Sequence, residues 1–472
     1  MSRVRRPLPS ARWALAAVAA LAGCAVTSPR LDPDLPPPAG WIEAQAVPGA
    51  TVAPDWWRSF QSRELAALVE AALAGNPTLA AAAERVRQAE AQVRIAGASL
   101  FPTLDLAAGT ARREQRGGAP RLVNESTSAT LVAAYELDLW GRLAAGVEAA
   151  RAGLAASDYD RETVRLTLTA SIAVAYFDLL SLRGRIAIAR QNLAIAERVL
   201  AVVEARVRNG AASPLDRARQ RTAVLNLRAA IEPAELQERQ TLAALAVLTG
   251  RPPEGFAVAA QSLAGLAVPA VAPGLPAEVL LRRPDIAAAE ARLAAANANV
   301  AAARAALLPS ITLTGGAGYA STSLLALGSS PATVLTIAAA LAQPIFDGGR
   351  RRATVDLNAA RERELLELYR GAILASLADV ESALAATART ANQERHQEEA
   401  VREARRALAL AEIRYREGAD DLLVVLDAQR TAFTTEDQLA QTRLARLQAS
   451  VGLYRALGGG WRAPETAARG AE

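Results

Sequence analysis

Cysteine, histidine and lysine, which carry much of covalent and metal chemistry, are nearly missing from this chain. Its 472 residues include one cysteine, Cys24, and one histidine, His396, and every one of its basic residues is arginine. A disulfide, a Cys/His zinc site and a Cys–His nucleophile pair all need residues that are not there. Without lysine, Schiff-base chemistry is excluded as well. His396 lies in the polar run 392–399, where a solvated surface imidazole is expected. Gly315-Gly316-Ala317-Gly318 sits in a strand pattern with no helix after it, so it reads as strand backbone rather than a phosphate loop. No enzyme and no cofactor are expected.

The one reactive side chain belongs to an address. Residues 1–23 combine an arginine-rich head with an apolar run from Trp13 to Leu21, too short to cross ~30 Å of hydrocarbon, so they read as a secretory signal. Leu21-Ala22-Gly23-Cys24 resembles the bacterial lipobox, whose cysteine takes a diacylglycerol and an N-terminal acyl group and begins the mature chain. Ala25 replaces the aspartate of inner-membrane retention, so the resemblance sends the lipid anchor to the outer membrane. Removing 1–23, which holds Arg3, Arg5, Arg6 and Arg12 and no acid, lowers the net charge from +5 to +1. The pI of 9.8 is therefore no sign of a nucleic-acid partner.

What remains is built to hold long helices. Apolar residues make up 51% of the chain but aromatics only 4%, and alanine dominates, which suits close helix–helix packing. Leu168, Ala175, Leu182, Ala189, Ala196 and Val203 recur every seven residues. Ile172, Leu179, Ile186, Leu193, Leu200 and Val207 follow the same step, offset by four. This a/d seam predicts a packed helix over the proline-free stretch 141–209, and a second is expected over 349–417. At 1.5 Å per residue each would be roughly 100 Å long, more than a compact domain encloses.

The chain also repeats itself. Helices bounded by Pro77 and Pro102 and by Pro284 and Pro309 have equal spacing, and each leads into a strand. Trp140-Gly141-Arg142 matches Gly348-Gly349-Arg350, and Arg206-Val207-Arg208-Asn209-Gly210 matches Arg414-Tyr415-Arg416-Glu417-Gly418. Each copy reads helix, strand, loop, strand, long helix, tight turn, helix. The expected organisation is signal 1–23, a lipidated proline-rich tether 24–54, a first repeat 55–249, a connection 250–283, a second repeat 284–457 and a flexible tail 458–472. Order is expected to begin at Asp55-Trp56-Trp57, followed by a helix burying Leu65, Leu68, Val69 and Leu73.

The strands alternate. Leu131, Ala133, Tyr135, Leu137 and Leu139 oppose Thr130, Ala134, Glu136 and Asp138, with Val132 an exception. Ile311, Leu313, Ala317 and Tyr319 oppose Ser310, Thr312 and Thr314, and Leu335, Ile337, Ala339 and Leu341 oppose a face of threonine and alanine. Such runs also suit a soluble sandwich, but secretion, lipidation and flanking long helices favour strands that cross a membrane. Four strands cannot close a barrel, and an open edge cannot persist in hydrocarbon. Copies must therefore share one pore: two, three or four would give eight, twelve or sixteen strands. The rival is a lipid-anchored periplasmic coiled-coil scaffold or adhesin without a pore.

Several stretches together resemble a family. Asp55-Trp56-Trp57, Asn76-Pro77-Thr78-Leu79, Tyr135-Glu136-Leu137-Asp138-Leu139-Trp140-Gly141-Arg142, Arg282-Arg283-Pro284-Asp285-Ile286, Gln343-Pro344-Ile345-Phe346-Asp347-Gly348-Gly349-Arg350 and Leu426-Asp427-Ala428-Gln429 are similar to outer-membrane efflux proteins of the TolC type, in the NodT-like lipoprotein branch. The resemblance implies a mainly α chain with a membrane β part. Three copies would form a twelve-stranded β-barrel, four strands per chain, joined to a periplasmic α-barrel of coiled-coil helices. It further implies passive export of small molecules, multidrug efflux included. The partners implied are a periplasmic adaptor (membrane fusion) protein, a proton-driven inner-membrane transporter and outer-membrane lipid.

The resemblance also supplies a site. The turns Asn209-Gly210-Ala211-Ala212-Ser213-Pro214 and Glu417-Gly418-Ala419-Asp420-Asp421 would ring the tunnel mouth and meet the adaptor. Asp427, with Leu423 one turn earlier, matches the acidic constriction inside that mouth; Val424 stands where some relatives carry a second acid. Arg206, Arg208, Arg414 and Arg416 are expected to latch the mouth by pairing with Asp216, Asp420 or Asp421.

Overall fold

The heptads and the duplication predict helices of matched length, and the computed structural model contains them. It describes residues 27–29, 31–43, 52–115, 122–329 and 331–463. After a 3-10 turn at Trp56–Phe60 come α1 (Arg63–Gly75), α2 (Pro77–Ala98), β1 (Thr103–Gln115), β2 (Leu122–Leu137), α3 (Arg142–Arg208) and α4 (Pro214–Leu248). Then follow α5 (Pro276–Leu281), α6 (Pro284–Ala305), β3 (Ser310–Ser321), α7 (Leu324–Ser329), β4 (Ala332–Ala342), α8 (Arg350–Arg416) and α9 (Leu422–Ala456). The repeats match in length: α2 and α6 have 22 residues, α3 and α8 have 67, α4 and α9 have 35. None of the heptad residues of α3 is exposed. The chain divides into two compact units, one of 1–34, 85–158 and 288–370 and one of 35–84, 159–287 and 371–472.

The first unit carries a single antiparallel sheet in the order β1-β2-β3-β4, so pairing of β2 with β3 fuses the repeats. Register sorts the side chains. Leu106, Leu131, Ala317 and Leu335 lie in one row across all four strands, and Leu137, Ile311 and Leu341 lie in another on the same face. This apolar face is bare: Leu335 is 74% and Ile337 85% exposed. The opposite face carries Thr103, Ala134, Thr314 and Ala338 and also takes Val132. The glycine run 315–318 lies inside β3, and a Cβ on Gly318 would overlap the backbone of Ala129 and Thr130 in β2.

Where strands become helices, aspartates serve as caps. The Asp138 carboxylate accepts from the Leu143 and Ala144 amides at 3.0 and 2.7 Å, and Asp347 accepts from Gly349 and Arg351 at 3.1 and 3.2 Å. Gly141, Gly348 and Gly349 make the bends with positive φ. Arg142 grips Glu136 through both carboxylate oxygens, and the Trp140 indole donates to the Pro309 carbonyl at 2.6 Å.

The second unit has an aromatic core. Trp56 stacks on Tyr454 with ring centroids 5.0 Å apart, and Phe60 meets Phe177 at the same separation. Leu65, Val69 and Ala72 bury the inner face of α1, with Leu68 and Leu73 packed at its margin.

Two expectations need correction. The proline-rich segment is extended but not a free tether. Asn297 donates to the Pro29 carbonyl at 2.9 Å and Arg370 to that of Pro33 at 2.7 Å in the first unit, and Trp41 donates to the Gly274 carbonyl at 2.9 Å in the second. Backbone carbonyls of an extended chain are open acceptors, and nearby side chains use them. The tail from Gly458 does not begin loosely either. Gly458, Gly459 and Trp461 are buried, and Trp461 packs edge-on against Tyr159. A Cβ at Gly458 (φ +82°) would overlap the Arg282 carbonyl. Gly458→Ala is therefore expected to destabilise the chain by about 2–3 kcal/mol. Gly210→Ala, at φ +70° with open space around it, should cost only ~1 kcal/mol, and denaturation midpoints of the two variants check the difference.

Candidate functional site

A helix that reverses direction must satisfy its last carbonyls and then the first amides of the returning helix. Both tips solve the first task alike. The Ala211 amide donates to the Arg206 carbonyl at 2.8 Å and the Gly210 amide to that of Val207 at 3.1 Å. Ala419 and Gly418 repeat this with Arg414 and Tyr415 at the same distances. These are Schellman closures, and Gly210 and Gly418 supply the left-handed residue with φ of +70° and +78°.

The second task is solved differently. Ser213 and Asp216 form a reciprocal capping box on α4. Hydrogen bonds from the Ser213 backbone and hydroxyl hold the Asp216 carboxyl below its usual range. On α9 the Asp421 carboxylate accepts from the Leu423 and Val424 amides. Asp216 and Asp421 are thus engaged in capping, and neither forms the arginine pair expected of it.

One expected pair does form. Arg414 binds Asp420 through two hydrogen bonds of 2.7 and 3.0 Å, and this contact lowers the Asp420 carboxyl and raises the Arg414 guanidinium. Arg206 acts otherwise. It donates to the Tyr415 carbonyl at 3.0 Å and lies over the Tyr415 ring, 4.7 Å from its centroid, tying the first hairpin to the second. Arg208 and Arg416 are exposed and take no acid partner among the described residues, and Arg416 borders a cavity of about 210 Å³ with Tyr415 and Val202.

Leu423 and Asp427 share the exposed face of α9 with Arg430, whose guanidinium meets the Asp427 carboxylate at 2.7 Å. Beneath them, Val203, Ala411, Tyr415, Leu422 and Val425 form a buried cluster. Sequence reasoning passed over Arg430 and the buried Gln220, and gave the buried Gln429 no role beyond its place in the family stretch. Gln220 donates to the Ala196 carbonyl at 2.8 Å, while the Gln429 side-chain nitrogen has no protein partner. The signal was present: Gln-Arg-Thr-Ala occurs at 220–223 and again at 429–432. Cys24 lies outside the described residues. No metal-holding group of His, Cys, Asp and Glu occurs among the described residues.

Comparison with known proteins agrees with this geometry. The outer membrane efflux protein family matches residues 68–251 and 275–459. The pyoverdine export outer membrane protein OpmQ of Pseudomonas putida is 43% identical, over 90% of this chain and 93% of its own. The solved outer-membrane channel OprN superposes with a TM-score of 0.88 at 29% identity, covering 92% of this chain and 99% of that one. The open state of the Neisseria gonorrhoeae MtrE outer membrane channel superposes at 0.83 with 31% identity, covering 93% and 99%. The chain belongs to the outer membrane efflux protein family and is the non-enzymatic outer-membrane channel of a tripartite efflux system, with its helical part in the periplasm.

Proposed function

We propose that this chain is a passive, gated duct for siderophores of the pyoverdine class, built from three copies and anchored by lipid on Cys24 in the manner of the NodT-like branch. The observation that carries the duct is the register of the sheet. One face is a continuous apolar field, the other is small and polar, and both outer strands are left without a neighbour. Twelve such strands enclose a water-filled lumen. The cargo class rests on likeness to pyoverdine export proteins, 43% and 41% identical over at least nine-tenths of this chain.

In this reading the tips meet a periplasmic adaptor fed by a proton-driven inner-membrane transporter, which supplies the energy. Leu423 and Asp427 form the constriction; Arg430 offsets each Asp427 carboxylate in part, and where these exposed pairs open the three carboxylates around one axis attract cations and repel each other. Arg206 and the Arg414–Asp420 pair hold the closed packing, and adaptor contacts favour the open one.

Loss of the gene should leave pyoverdine-type siderophore inside the cell envelope, and undiminished secretion into the medium would assign another cargo. Asp427→Ala is expected to raise single-channel conductance in planar bilayers and to weaken cation preference; a channel unchanged in both takes Asp427 out of the gate. The Arg414–Asp420 contact also sets a pH window. A carboxylate with a lowered folded pKa stabilises while ionised, so its contribution is complete above the usual Asp range and is lost as pH falls through the lowered value. Hydrogen exchange at the Ala419 amide should therefore report the same tip protection at pH 8 and pH 5, and Asp420→Asn should reduce that protection at both.

A further inference from the structure

The internal duplication keeps an arginine and drops its acid. Arg142 opens α3 and Arg350 opens α8, at an offset of 208 that carries Arg142–Arg208 onto Arg350–Arg416. In the first repeat Glu136 neutralises Arg142, which grips it with bonds of 2.8 and 2.7 Å. Carried forward by the same 208, Glu136 becomes Pro344. Proline supplies no carboxylate, and Arg350 is exposed and pairs with no acid among the described residues. A cation in the first turn of a helix is opposed by the helix dipole, so the stability of α8 gives no reason for it either.

Arg350 does not stand on open surface. It lines a cavity of about 370 Å³ where the strands give way to helices, together with Glu136, Asp138, Trp140, Arg142 and Arg351. The other charges there are engaged. Glu136 holds Arg142, and the Asp138 carboxylate accepts from the Leu143 and Ala144 amides. Arg351 donates to the Ala306 carbonyl and lies 3.7 Å from the Asp347 carboxylate. Among the described residues, Arg350 is the uncompensated charge of the cavity.

The walls define what fits beside it. The Trp140 indole N–H is committed to the Pro309 carbonyl, which leaves the ring as apolar surface, and Ala303 and Leu308 extend that surface. A guanidinium presents a planar fork of donors that matches a carboxylate. One anion-binding head beside an apolar wall is the complement of a small organic acid. Glu136 and Ser310, which also line the cavity, belong to the small polar face of the sheet, the side that faces the lumen of a shared barrel.

We propose that this cavity is a transit subsite for small organic carboxylates, with Arg350 binding the carboxylate and the Trp140 wall receiving the apolar body. The first repeat fills the equivalent need internally, because Glu136 already occupies Arg142. The subsite rests on the reading of the chain as a duct.

Benzoate and benzamide test it on the full-length protein in planar bilayers. Benzoate should lower the single-channel current saturably, whereas benzamide, the same ring without the charge, should not. R350Q should weaken the benzoate effect about tenfold, and R350K, which keeps the charge without the fork, should fall between. R352Q removes a neighbouring exposed arginine that does not line the cavity, and it should leave the effect intact. P344E returns the missing acid and should suppress the effect as R350Q does. Equal responses to benzoate and benzamide overturn the subsite, and so does an equal loss in R350Q and R352Q, which would mark general surface charge. Should R350Q not assemble, an undiminished effect in both R350K and P344E overturns it. Wild-type protein that forms no channels overturns the duct itself.

Discussion

Hydrocarbon supplies no hydrogen-bond partner, so a sheet that enters it must leave no edge. The architecture of this chain follows from that restriction. A lone two-stranded hairpin would bring two edges of its own. By pairing β2 with β3 the duplicated chain reduces two hairpins to one sheet with two edges. The remaining edges are matched in sense, because four antiparallel strands end on a strand running opposite to the first. The helices inherit the problem at their first turns, where Asp138 and Asp347 occupy the orphan amides as each strand becomes a helix.

The first long helix covers much of its apolar surface within the protein. Both α3 and α8 contain an eighteen-residue window apolar enough to span a bilayer. In α3, 56% of that window is already buried inside the protein. Its apolar residues lie on a seam, not around the whole cylinder, and residues such as Arg183 and Arg185 interrupt the outer face to pair with Glu238 and Asp437.

How far the sequence reveals this depends on whether the signal is periodic. Heptads, alternation and duplication all are, and they give the two longest helices nearly to the residue and the faces of the strands. Strand ends were less visible. β1 runs past its apolar rows to Gln115, where pairs such as Arg112 with Glu125 continue the ladder. The docked proline segment left no trace, because its contacts use backbone carbonyls that every sequence has. At the tips, the charges were legible but the partners were not. Asp216 and Asp421 look like latch residues in sequence, but a carboxylate beside free helix amides binds those first.

This allocation makes the two tips mechanically unlike. The first turn is held locally, by a capping box spanning four residues of one strand of chain. The second has its own cap but is also bound across the turn by Arg414 and Asp420, and its Tyr415 carries Arg206 from the first hairpin. A displacement of the second turn therefore pulls on α3 through a charge-assisted hydrogen bond and a ring contact, whereas a displacement within the capping box is absorbed where it occurs. Because Val203 and Val425 lie in the same buried cluster under this link, sliding the second hairpin without the first would open a gap in packed apolar side chains.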